Sequence, residues 1–360
     1  MEKIQFDPRD QTNSTKTKAL NVVEDTLSLK VEVISKHNFQ RDMSPEHLAL
    51  KDETTYMIGG DDYGYLLIKD KKEIYSHKPS RLESVDGLVY VAHLDCFILL
   101  KSNKIYRKGI DDQAPQLLLD LGFIKERIFE LRYSSLNKRL IIPTNSKLLI
   151  IDVVQKRVEF TVPRSKIESV FDLILFGKKQ NQLILITDRG SISLFIINFE
   201  MKKLIALHHQ KIELLKERSE GVACLGVSDD NKFVMVEIEK EEGDLSCSSR
   251  MIIFELKNHV LEMKSLLDVF SRKMMACCAL SSFWSDDSHV WWIGMEFGLA
   301  AAAAEKAKIY DYDVERRILR EIEKMRVNHC SDLFFNMNRI GNSFYYPSSE
   351  GQIMRLSVIF

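Results

Sequence analysis

Four pairs of adjacent aspartates, Asp61–Asp62, Asp111–Asp112, Asp229–Asp230 and Asp286–Asp287, are the first candidates for chemistry in this chain. Neighbouring carboxylates can divide acid and base roles when their surroundings separate their proton affinities. Each pair, however, falls in a polar stretch between apolar runs. There an aspartate bonds its own backbone and favours a tight turn, so a structural role is expected for all four. The nine histidines are scattered, with His208–His209 the one adjacent pair. Consecutive strand residues point to opposite faces, so no shared metal is expected there. The six cysteines show no C-x-x-C spacing, and Cys96, Cys224, Cys277 and Cys278 lie inside apolar runs. A thiol in that setting acts as a small hydrophobe, and neither a zinc site nor a redox pair is predicted. The stretches "GGDDYG" (59–64) and "DRGS" (188–191) read as hairpin turns, without the strand–GxxxxGK–helix setting of a phosphate loop. No GxSxG nucleophile elbow occurs. The sequence therefore predicts no catalytic, metal or cofactor residue, and it reads as a non-enzyme.

Composition narrows the partners. The 360 residues are 45% apolar, enough for a large core, and carry a net charge of −1. A chain so nearly neutral has no bulk excess of cations to displace counterions from nucleic acid. No run approaches the ~18 apolar residues of a membrane span. The opening "MEKIQFDPRDQTNSTKTKALN" has no basic region followed by an apolar one, so no secretory leader is expected. These features, with the cysteines, predict an intracellular protein, cytoplasmic or nuclear, with no membrane partner.

The elements that must position any site are short apolar runs, repeatedly interrupted. Such runs at steady spacing suggest an all-β fold. "YSSLNKRLIIPTNSKLLIIDVVQKRVEFTVP" (133–163) and "FGKKQNQLILITDRGSISLFIINFEMKKLIALH" (176–208) share one pattern: polar turn, strand, loop, strand, basic turn, strand. The pattern recurs at 228–265 and 285–324. Another apolar strand precedes each unit, at 88–93, 128–134, 170–176, 222–228, 276–283 and 332–337. Anchors at Val89, Leu131, Leu173, Leu225, Leu280 and Leu333 are separated by 42, 42, 52, 55 and 53 residues. One more step back reaches "HLAL" (47–50), giving seven units of four strands. Four strands per ~40–45 residues is a propeller signature. The last unit, "DLFFNM", "NSFYYP" and "QIMRLSVIF", lacks a fourth strand. "LSLKVEVIS" (27–35) is a strand without a unit, and its alternation fits it for that place. The predicted fold is a seven-bladed β-propeller of four-stranded antiparallel blades, closed by strand 27–35 pairing with strand 351–360. Residues 26–360 form one domain in this reading, and 1–25 a disordered arm.

Over residues 27–360 the chain resembles the WD40 family of seven-bladed propellers. "SDDNKFVMV" and "SDDSHVWWI" look like that family's turn between innermost and second strands. "KIYDYDVERRIL" looks like its third strand, turn and fourth strand. No Trp-Asp ends a third strand and no Gly-His precedes a unit, so this is a degenerate form. The resemblance implies a monomeric, non-catalytic scaffold that binds protein partners within a larger assembly. It also implies that connections from an outer strand to the next inner strand gather on one face. Those connections read "HKPSRLE", "GFIKER", "PRSKIE", "HHQKIELLKERSE", "DVFSRKMM" and "KMRVNH", with 13 Lys/Arg against 7 Asp/Glu. The candidate partner site is this basic rim: Lys78, Arg81, Lys125, Arg127, Arg164, Lys166, Arg272, Lys273, Lys324 and Arg326. A positive rim attracts an acidic protein segment or, as the alternative, RNA or another phosphate-bearing ligand. Only Phe123 and Phe270 supply rings there, which weakens the single-stranded RNA version. The simpler reading is a solvated loop surface. "LLKERSE" (214–220) reads as a helical turn in a long connection. The Ala300–Ala304 run carries no chemistry, and Trp291–Trp292 read as core residues facing opposite neighbours.

Overall fold

The computed structural model describes residues 28–36, 47–60, 64–77, 85–124, 131–144, 147–163, 170–187, 190–212, 220–241, 247–270, 274–278, 282–298, 305–327, 338–347 and 352–359. Apart from one 3₁₀ turn at Ala92–Leu94, its regular elements are strands. The first, β1 (Ser28–Lys36), stands apart from the sheets that follow it in sequence. Blade 1 is β2 (His47–Leu50), β3 (Thr55–Gly60), β4 (Gly64–Lys69) and β5 (Lys72–His77). Blade 2 is β6 (Val85–Val91), β7 (Cys96–Lys101), β8 (Lys104–Gly109) and β9 (Gln116–Asp120). Blade 3 is β10 (Arg132–Ser134), β11 (Arg139–Pro143), β12 (Lys147–Asp152) and β13 (Arg157–Pro163). Blade 4 is β14 (Val170–Phe176), β15 (Gln182–Thr187), β16 (Ser191–Asn198) and β17 (Lys203–Lys211).

Blade 5 is β18 (Glu220–Ser228), β19 (Phe233–Glu241), β20 (Cys247–Lys257) and β21 (Val260–Phe270). In blade 6 the inner strand is split between β22 (Met274–Cys278) and β23 (Ser282–Ser285), both paired with β24 (His289–Gly298). Then come β25 (Glu305–Asp313) and β26 (Ile318–Val327). A short parallel bridge, Val227 with Ser282 and Ser228 with Phe283, joins the inner strands of blades 5 and 6. Blade 7 is β27 (Asn338–Ile340), β28 (Ser343–Pro347) and β29 (Gln352–Ile359), with β1 as its outer strand. The register runs antiparallel from Ser28 opposite Ile359 to Lys36 opposite Gln352, with a bulge between Val33 and Ser35. The amino-terminal strand therefore closes the last blade, as the missing fourth strand required. "DLFFNM" (332–337) lies outside the described residues, and the inner strand described for this blade is β27.

The middle strands read as unbroken apolar runs because both faces of a blade are buried. Successive side chains point to opposite faces, so each run feeds two interfaces. Phe97 and Leu99 of β7 pack with Met57 and Leu67 of blade 1. Ile98 and Leu100, one step along, pack with Leu140, Ile142 and Leu149 of blade 3. Similar clusters join blades 3 and 4, 4 and 5, and 5 and 6. Tyr345 and Ile353 of blade 7 meet Leu48, Tyr56 and Ile58 of blade 1. Between blades 6 and 7, Trp284 meets Phe344 edge-on at 5.2 Å. Trp292 is fully buried and stacks on Tyr310 in the cluster shared with blade 5. Its neighbour Trp291 is half-buried and stacks on His289. Truncating one such core residue costs about 2–5 kcal/mol, so the stacking of blades is where the stability resides.

Tight turns set the register. Asp70–Lys71, Ser102–Asn103 and Asn258–His259 each place two consecutive residues at positive φ, the twist that suits a two-residue hairpin. Third strands end in Asp152, Asn198 and Asp313, where a WD40 pattern places Trp-Asp. Each side chain accepts a turn N–H: Asp152 from Val154 and Gln155, Asn198 from Met201, and Asp313 from Arg316, all at 2.8–2.9 Å.

Candidate partner-binding faces

An antiparallel four-stranded blade has two ends. One carries the inner-to-second and third-to-outer turns. The other carries the second-to-third turns and the connections to the next blade, including the basic rim predicted from sequence. Lys78, Arg81, Lys125, Arg127, Arg164, Lys166, Arg272 and Lys273 lie outside the described residues. Lys324 and Arg326 lie inside β26, because that strand runs on to Val327 where the sequence suggested a loop. Their register partners on β25 are also cations: Lys308 is opposite Lys324, and Lys306 is opposite Arg326. Like charges directly opposite on neighbouring strands are destabilising. Lys308 is 8% exposed and is partly compensated by Glu321 Oε2 at 2.9 Å. "LLKERSE" (214–220), apart from Glu220 at the start of β18, and the Ala300–Ala304 run also lie outside the described residues.

The opposite end is built from polar side chains that tie each blade to the next. Lys51 Nζ reaches Asp95 Oδ1 at 2.8 Å from blade 1 to blade 2, and Tyr90 donates to the same oxygen. Tyr133 Oη of blade 3 lies 2.5 Å from His93 Nδ1 of blade 2. Ser134 donates to Gln180 O of blade 4, and Asn137 to Lys179 O. Gly177 N donates to Asn231 Oδ1, joining blade 4 to blade 5. Lys232 pairs with Asp287, and Ser285 donates to Asp230, joining blade 5 to blade 6. Arg339 of blade 7 lies over the Trp284 ring at 4.6 Å and reaches Asp229 Oδ2 at 3.3 Å. Arg355 and Tyr345 of blade 7 both bond Glu53 of blade 1, and Arg355 also holds Glu32 of β1. These ties pass every junction in the ring.

Three of the four aspartate pairs, singled out for chemistry, work here as turn formers and ties. Asp112 accepts from Gly109 N, Asp230 from Lys232 N, and Asp286 from Ser288 N and His289 N. Asp61–Asp62 lie outside the described residues. Charge states follow the contacts. The hydrogen bond from Lys51, then that from Tyr90, holds Asp95 below the ordinary carboxylate range. Burial pushes Asp52 and Asp286 upward, but bonds from the turn N–H groups outweigh it and both sit low. Cys96 is fully buried, and burial pushes its thiol up to about 11, so it stays a protonated hydrophobe. His208 and His209 pair with different residues of β16, Leu194 and Ser193. Among the described residues no group of three His, Cys, Asp or Glu is placed to hold a metal ion. Among them, too, no helix is long and apolar enough to cross a membrane.

No protein-family model and no curated protein sequence matches the chain. Solved structures do. A chain in the S. cerevisiae structure of Dbp5 bound to Nup159, Gle1, IP6 and ADP aligns with TM-score 0.60 and 9% identity, over 93% of this chain and 96% of that one. The WD40 β-propeller domain of Doa1 aligns with TM-score 0.55 and 10% identity, over 91% and 97%. The β-propeller domain of Myceliophteria thermophila Cps50 (Swd1) aligns with TM-score 0.52 and 13% identity, over 71% and 80%. Topology, ring closure and these likenesses agree that the chain has the fold of a WD40-like β-propeller.

Proposed function

We propose that this chain is a non-catalytic scaffold, a WD40-like subunit that holds protein partners in a larger assembly. In this reading residues 26–360 form one propeller domain, monomeric in itself, and 1–25 an unstructured arm. Loops on a rigid frame are where binding residues concentrate, and the inter-blade ties supply the rigidity. The observation that carries the reading lies at the rim end of blade 6. There Lys306 is opposite Arg326 and Lys308 opposite Lys324 in the register of one strand pair. Cations at opposed positions repel, and an acidic partner segment supplies the attraction that such a stretch lacks. The connections around the same end carry a Lys/Arg excess in a chain of net charge −1. The Dbp5 structure, which holds Nup159 and Gle1 together, supports a place in a multi-protein assembly. A propeller can also be an enzyme, as in the similar P. aeruginosa periplasmic gluconolactonase (TM-score 0.54, 11% identity); the fold alone does not select the scaffold role.

The test is capture from native extract, read by mass spectrometry. Reversing Arg272, Lys273, Lys324 and Arg326 to Glu should reduce recovery of the protein partners by about tenfold, because each lost pair weakens binding modestly and the effects accumulate. The melting temperature should not fall, because the two reversals in β26 replace like-charge register pairs by opposite-charge ones. Unchanged capture would reject the rim. Capture of RNA with a steep salt dependence would replace the acidic segment by a phosphate backbone.

A further inference from the structure

The other end of blades 3 and 4 carries a second basic surface, built from the turns 135–138, 153–156, 177–180 and 199–202. Hydrogen bonds join these turns into one patch. Val153 N donates to Lys138 O within blade 3, and in blade 4 Ile197 N donates to Asn181 O just beside the two turns. Asn137 Nδ2 donates to Lys179 O at 2.8 Å between the blades. Lys138, Lys156 and Arg157 of blade 3 are exposed, as are Lys178, Lys179, Lys202 and Lys203 of blade 4. None of the seven makes an ion pair among the described residues. Glu200 is the one exposed carboxylate in these turns. Nearby Asp152 and Glu159 are both engaged by Arg139.

Two further observations separate this patch from an ordinary solvated surface. Each turn closes on a residue in the left-handed region: Lys138 (φ 55°), Lys156 (φ 53°), Gln180 (φ 47°) and Lys202 (φ 50°). Glycine or asparagine is least costly there, yet three of the four positions hold lysine. Among the cations stand exposed aliphatic side chains: Leu136 at 63%, Val154 at 53% and Met201 at 60% exposure.

We infer that this patch docks an acidic protein segment bearing aliphatic side chains. Unpaired cations call for carboxylates or phosphates, and the aliphatics decide between them. A nucleic-acid strand binds through phosphates and base stacking, and Leu, Val and Met offer no ring to stack on. A lipid surface favours a sustained apolar face with Trp, Phe or Leu, whereas here the cations outnumber three separated aliphatics. An acidic segment with Leu or Ile between its carboxylates satisfies both halves of the surface. The inference rests on the scaffold reading but not on the rim, which lies at the other end of the blades.

The experiment uses the full chain and a labelled synthetic peptide of alternating glutamate and leucine, with a glutamate-only peptide, polyuridylate and phosphatidylserine vesicles beside it. The quadruple variant R157E/K178E/K179E/K203E avoids every left-handed position, so its fold should be preserved and its melting curve checks this. The mixed peptide should bind the parent several-fold more tightly than the glutamate-only peptide. The quadruple variant should bind it about tenfold more weakly, and L136S/M201S should lose the preference for leucine while still binding glutamate. Equal binding of the mixed peptide by parent and quadruple variant overturns the inference. So does tighter binding of polyuridylate or vesicles through the same four cations. Loss of peptide binding in the rim variant alone moves the site to the rim and leaves the scaffold reading standing. No peptide binding here, together with no partner capture from extract, removes both.

Discussion

Asp311 lies on β25 with Trp291 on one side and Arg320 on the other, and it is 8% exposed. Its Oδ1 has no hydrogen-bond partner among the described residues. Burial raises its proton affinity above the ordinary aspartate value. His289 and Arg320 oppose that rise, and Asp313 and Asp286 add to it. A carboxyl with a raised folded-state pKa favours the fold most when protonated, below its ordinary value near 3.8, and loses that contribution as pH rises through the folded value. At neutral pH Asp311 is therefore a cost. Replacing it by Asn removes the buried charge and should raise stability at pH 7 by about 1 kcal/mol, the low end of the desolvation cost of an unsatisfied buried group. The gain should shrink as the pH is taken to 4 and below. Denaturant titrations at both pH values measure this, and a loss of stability at pH 7 would mean that Asp311 has a partner worth keeping. The sequence made the turn role of three of the four aspartate pairs legible, because each sat between apolar runs. It gave no sign of Asp311, which differs from Asp313 only in what the fold packs around it.

At the scale of the element, β1 carries the largest consequence. It covers the edge of β29, whose Ile353, Leu356 and Val358 are buried, and Arg355 clamps it through Glu32. A chain lacking residues 1–36 leaves that edge open, and an uncovered edge is a template for foreign strands. It should lose on the order of several kcal/mol of stability, from apolar surface returned to water, and should aggregate on warming. A synthetic peptide of residues 28–36, added in excess, should restore much of the melting temperature by pairing with β29. A truncated chain that melts like the parent would show that the ring does not need this strand. Closure was readable because alternation in 27–35 and the missing strand at the end were both visible in the residues. Other features at this scale were not. Val33 is 53% exposed although the alternation set it among the apolar positions; it stands at the edge of the bulge, beyond which the phase of the strand shifts. Lys324 and Arg326 read as loop because cations interrupt the apolar pattern, yet backbone pairing with β25 carries the strand through them. The cations of blades 3 and 4 were visible as basic turns. Their convergence with Leu136 and Met201 depends on two blades coming together, which no local pattern reports.

A closed ring couples its parts, and carboxylates carry a share of that coupling here. Asp95 ties blade 1 to blade 2, Asp52 and Asp286 brace turns at the same end, and Glu32 holds the closing strand. All four sit below their ordinary values. For Asp95 the first cause is the bond from Lys51; for Glu32 it is the bonds from Lys30 and Arg355. For Asp52 and Asp286 turn hydrogen bonds overcome burial. A lowered folded-state pKa means that each contribution is complete above the ordinary value, 3.8 for Asp and 4.5 for Glu, and is lost as pH falls through the lower folded value. Asp311 has the opposite sign, and among the described carboxylates it is one against four. The melting temperature should begin to slip below about pH 6.5, where burial keeps His93 neutral in the fold, and should fall steeply below about pH 4 as the carboxylates protonate. Because every blade leans on two neighbours, loss of one junction exposes apolar faces on both sides and weakens the next. The fall should therefore appear as a single transition at each pH, with circular dichroism and tryptophan fluorescence coincident; Trp284 and Trp292 report from either face of blade 6. Two separated transitions in acid, with the tryptophans melting first, would mean that blades 5 to 7 form a unit of their own and that the ties do not carry stability around the circle.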